Sequence, residues 1–102
     1  MTAEALTTKY IEAMGKTLQT AKRTKGSITV TQECIEEIVG YVNDYLNDAK
    51  YFRKQKKFET SLTSIAYCEG LMDALKLIGG VQIPLTNRPP LKQLKTSKGD
   101  LQ

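Results

Sequence analysis

A chain of 102 residues, 40% hydrophobic and 25% charged, has room for one globular domain with a modest core. It contains no histidine, which excludes Ser-His-Asp and Cys-His catalysis and every His-ligated metal site. The formal net charge of +4 raises the question of an anionic partner, and the placement of the basic residues has to answer it.

The first segment, about residues 3–24, carries Leu6, Tyr10, Ala13, Met14, Leu18 and Ala21 at spacings of three and four, and is predicted to be an amphipathic helix. "TKGS" at 24–27 breaks it. Thr29 with Gln32 is expected to act as a capping box for a second helix, about 30–54. Its apolar stripe is Ile35, Ile38, Val39, Val42, Leu46, Ala49 and Phe52. "RKQKK" is a polar turn, and a third helix is expected over about 57–78. The pair Gly79–Gly80 and then Pro84 stop it.

Long helices joined by short links are antiparallel neighbours. The expected fold is therefore all-α: an up-down-up three-helix bundle over 1–83, followed by an extended Pro/Lys-rich strap and tail over 84–102. Val81, Ile83, Leu85 and Leu91 are apolar enough to lie along a helix groove. No run approaches the roughly 20 apolar residues of a membrane span, and "MTAEALTTKY" does not resemble a secretory leader, so a cytoplasmic location is expected. Cys34 and Cys68 lie far apart and read as reduced thiols.

Helix dipoles account for much of the charge pattern: acids open the helices and bases close them. Glu33, Glu36 and Glu37 begin the second helix, while Lys50, Arg53 and Lys54 end it. Lys22 and Arg23 are read as the basic end of the first. Around the turn, Arg53 and Lys54 stand together with Lys56 and Lys57. With the tail lysines, these are the candidate contacts for phosphate or nucleic acid.

The third helix holds the sharpest anomaly. Its stripe of Phe58, Leu62, Ile65, Met72 and Leu75 includes Glu69, a carboxylate that is costly to bury without partners. Asp73 follows four residues later. Antiparallel pairing about the turn matches residue i with about 112 − i, which brings Tyr45 near Tyr67. Tyr10, Tyr41 and Tyr45 are candidate donors to Glu69, so Tyr45, Glu69 and Asp73 form a candidate polar site. Three readings stand: a carboxylate tied down for packing, a ligand-binding pair, or exposure at a groove edge. Asp44 and Asp48 add a second acidic pair, but without His no metal is expected, and no cofactor motif is present. Tyr67, Leu71, Ala74 and Ile78 lie on a separate apolar flank, an expected surface for a protein partner or a homodimer.

"YLNDAKYF" followed by "SIAYCEGLMDALKLIG" resembles the archaeal domain-of-unknown-function 357 family. Its pattern is D-A-x-Y-F, a charged turn, then A-Y-x-x-G-x-x-D-A. Here these are Asp48, Ala49, Tyr51 and Phe52, then Ala66, Tyr67, Gly70, Asp73 and Ala74. The resemblance implies a three-helix fold, an archaeal cytoplasmic source and no established activity. Some relatives are similar to a C-terminal addition on nucleotidyltransferase-like enzymes, implying an accessory or binding role. Glu69 is not part of that pattern. The residues lead to a non-catalytic interaction or self-association module, with nucleic-acid or nucleotide binding as the alternative.

Overall fold

A computed structural model describes residues 1–84. It is all-α, with α1 over Ala3–Thr20, α2 over Gln32–Lys54 and α3 over Phe58–Leu77, and no strand among the described residues. The expected tail lies beyond these residues apart from Pro84.

Local chemistry sets the helix ends. Thr2 caps α1, its hydroxyl oxygen accepting the Ala5 N–H at 3.0 Å. Thr31, not Thr29, caps α2 by accepting the Cys34 N–H at 3.1 Å. Only a side chain immediately outside the first turn reaches those free N–H groups. α1 ends at Thr20, so Lys22 and Arg23 lie outside its last turn and the dipole argument does not apply to them. Arg53 and Lys54 do close α2, and Glu59 lies in the first turn of α3.

Two Schellman caps end the other helices. At α3, the Gly80 N–H donates to the Leu75 carbonyl and the Gly79 N–H to the Lys76 carbonyl, with Gly79 at φ +81°. At α2, the Lys57 N–H donates to Phe52 and the Lys56 N–H to Arg53, which puts Lys56 at φ +60°. A side-chain-bearing residue in that left-handed region costs roughly 1–2 kcal/mol. The cap makes the turn between α2 and α3 short enough to form a hairpin.

The hairpin is antiparallel. The Ser61 hydroxyl donates to the Ala49 carbonyl at 2.8 Å, and the Cys68 thiol to the Val42 carbonyl at 3.4 Å. Tyr45 and Tyr67 meet ring to ring at 4.5 Å, as the pairing rule predicts. Ile35, Ala49, Cys68 and Leu75 are its buried hydrophobic residues, and Leu75 has no exposed surface. Gly80 closes the far end: a Cβ there would meet Ile35 and Leu75 carbons at 3.3–3.4 Å.

The face of α3 that meets α2 differs from the expected stripe. Ser61, Ser64, Ile65, Cys68, Leu71, Met72 and Leu75 are its buried or half-buried residues along that side, whereas Phe58 and Leu62 are exposed. The contact is centred near Cys68, about 60° around the helix from Ile65. Small side chains at Ala49, Ser61 and Cys68 let the backbones approach until side chain reaches carbonyl. Glu69 consequently sits half-buried beside the contact rather than at its centre.

α1 is the larger departure. Among the described residues α2 and α3 are the only helices in contact, so the third helix does not complete a closed bundle. The short-link argument holds for the turn between α2 and α3. It fails for the connector over 21–31, which is irregular, with extended backbone at Ala21 and Thr31. The apolar stripe of α1 faces solvent, from Leu6 at 42% exposed to Leu18 at 72%.

Candidate interaction surface

Along one edge of the hairpin, α2 contributes Tyr41 and Tyr45 and α3 contributes Tyr67, with 39–48% of each residue exposed. Tyr45 and Tyr67 pack at a tilt of 56°, a favourable geometry for the ring quadrupoles. The Tyr41 hydroxyl donates to the Glu37 carboxylate at 2.8 Å, one helical turn earlier. Holding that proton against a carboxylate pushes the Tyr41 phenol above its ordinary range. The row continues along α3 through Leu71, half-buried, and exposed Ala74 to Ile78. It is an amphipathic strip: ring faces and aliphatic carbons, with hydroxyls at its rim.

Of the residues expected to form a polar site, Tyr45 lies on this edge, while Glu69 and Asp73 lie on other faces of α3. Tyr45 is engaged with Tyr67, and Glu69, two residues on, projects about 160° away around α3. Tyr41 donates to Glu37, and Tyr10 lies on α1, which touches neither helix. Asp73 is exposed. Nothing comes within 4 Å of a Cβ placed on Gly70. Among the described residues, no three of His, Cys, Asp and Glu gather to hold a metal ion.

The basic residues divide into two groups. Lys56 and Lys57 line an open depression with Phe58, Glu59 and Thr60. Arg53 and Lys50 instead rim a cleft of about 290 Å³ on the other edge of the hairpin, floored by Leu46, Ala49, Ser61 and Ile65. Lys54 is exposed in the last turn of α2. No side chain caps the start of α3, where Lys57 is the flanking residue.

Both cysteines are free, Cys34 exposed and Cys68 buried, and burial pushes the Cys68 thiol upward. Val81 and Ile83 are half-buried; Leu85 and Leu91 lie outside the described residues. No helix is long and apolar enough to cross a membrane among the described residues. Tyr41 and Glu37 were not singled out as a pair from sequence, although their spacing of four was visible there. The cleft had no sequence signal, because it depends on the rotation of α3.

Fold and surface together define a small all-α protein built on an antiparallel helical hairpin, with a tyrosine-rich edge and a separate amphipathic arm. The family model for the protein of unknown function DUF357 matches residues 9–81, and the chain belongs to that family. Comparisons with curated proteins and with solved structures returned no match.

Proposed function

We propose that this protein is a non-catalytic interaction module that binds through the tyrosine edge, most simply to a second copy of itself. The observation that carries this reading is the set Tyr41, Tyr45, Tyr67 and Ile78, left exposed on a hairpin with a small core, with Tyr45 and Tyr67 packed ring to ring. Tyrosine suits such a contact because it supplies rigid apolar area with a hydroxyl for the rim. Sedimentation equilibrium tests it. Tyr67→Asp with Ile78→Asp should weaken self-association by at least about tenfold, equivalent to about 1.4 kcal/mol. A chain that stays monomeric at high concentration, or associates equally well with both substitutions, overturns the self-association form.

A second reading is binding of nucleic acid or nucleotide at the turn, as an accessory role. It is supported by the uncapped N–H groups at the start of α3 lying beside Lys56 and Lys57. Fluorescence anisotropy with a labelled oligonucleotide should then show affinity that falls steeply with salt. Lys54→Gln, Lys56→Gln and Lys57→Gln together should abolish it. Binding that is absent or independent of salt removes this reading.

A further inference from the structure

Two apolar faces in this chain have no partner among the described residues, and their shapes and charges correspond. One is the stripe of α1; the other is the cleft between Leu46 and Ile65, on the edge of the hairpin opposite the tyrosines. We infer that α1 is an exchange arm that seats in this cleft on a second copy of the chain, reciprocally, to form a two-fold dimer.

The register comes from the helices themselves. Laid antiparallel to α2, with Ala3 level with the start of α3 at Phe58, α1 brings Leu6 and Tyr10 to the levels of Ser61 and Ile65. Those two residues line the cleft. Leu6, Tyr10 and Met14 fall within about 80° of one another on α1, so one narrow ridge enters the groove. The right-handed winding of α1 then turns Glu4 toward α2, at the level of Arg53, and Lys50 and Arg53 form that rim of the cleft. Glu4 lies in the first turn of α1, so its position serves both the helix dipole and the basic rim. Eighteen residues give α1 a length of about 27 Å, enough to run along most of the twenty-residue α3.

The separation of α1 points to the other copy as the occupant: α1 touches neither α2 nor α3 of its own chain. Reciprocal exchange covers both faces on both molecules, and the contact is isologous. This surface is distinct from the tyrosine edge, so the two proposals can fail separately.

Disulfide trapping with the full chain tests it, in a Cys34→Ser background because Cys34 is exposed. Tyr10→Cys in one batch and Leu46→Cys in another are mixed under mild oxidation. The expected product is a disulfide joining unlike chains, with a mass about twice 11.4 kDa. The doubly substituted single chain is the control. A disulfide that closes within that chain, or no disulfide in either experiment, overturns the inference. As a second measurement, the Tyr67→Asp, Ile78→Asp chain, weakened only in the association made through the tyrosine edge, should still sediment as a dimer held by α1. Adding Leu6→Asp and Met14→Asp should convert it to a monomer with the circular dichroism of the hairpin retained; a dimer that survives them also overturns it.

Discussion

α1 and α2 are amphipathic to a similar degree, yet α1 and the α2–α3 hairpin meet different fates. The hairpin buries Ile35, Ala49, Cys68 and Leu75, while α1 buries nothing. The difference lies in the links. The short turn held by the Lys56 cap brings α3 straight back onto α2, whereas the irregular connector carries no such instruction for α1. Amphipathicity states that a face will be covered; chain connectivity decides by what.

Five measurements break or sharpen this comparison. Leu75→Ala should cost about 2–5 kcal/mol in urea unfolding, because it empties the most buried position of a very small core. A cost below 1 kcal/mol would show that the hairpin contact is not what stabilises the fold. Lys56→Gly should stabilise the hairpin by up to about 1 kcal/mol by relieving the left-handed conformation. A loss of stability there would mean that the lysine side chain, not the backbone turn, holds the link.

Thr31→Ala removes the α2 cap and should lower hairpin stability by about 1 kcal/mol. Thr2→Ala removes the matching cap of α1. Below the concentration at which copies associate, it should reduce helix content while leaving the hairpin midpoint unchanged. Equal shifts in midpoint would show that α1 folds cooperatively with the hairpin.

The smallest effect concerns pH. The buried Cys68 thiol lies above its ordinary 9.0, so the folded chain holds its proton where the unfolded chain releases it. That contribution is complete below pH 9 and is lost as pH rises through the folded value. Stability should decline on that alkaline side, and Cys68→Ala should flatten this part of the profile whatever its constant cost. A profile with the same slope in both chains would place the thiol in contact with water.

Much of the hairpin was legible in the sequence. Apolar spacing located three helices, Gly79–Gly80 located the end of α3, and counting about the turn placed Tyr45 against Tyr67. Thr31 was missed as the α2 cap because Thr29 with Gln32 also fits a capping pattern, and only backbone direction distinguishes them. Glu69 looked buried because apolar side chains were taken to mark the contact face. The contact instead follows small residues that permit close approach, and these leave little hydrophobic signal.

By itself, then, the sequence determined the secondary structure, the family and the level at which α2 and α3 pair, since these depend on local caps and counting along the chain. Tertiary structure alone decided the rotation of α3 about its axis and the separation of α1. Both depend on how closely backbones can approach and on the course of a connector, and neither is written in the periodicity of a single helix.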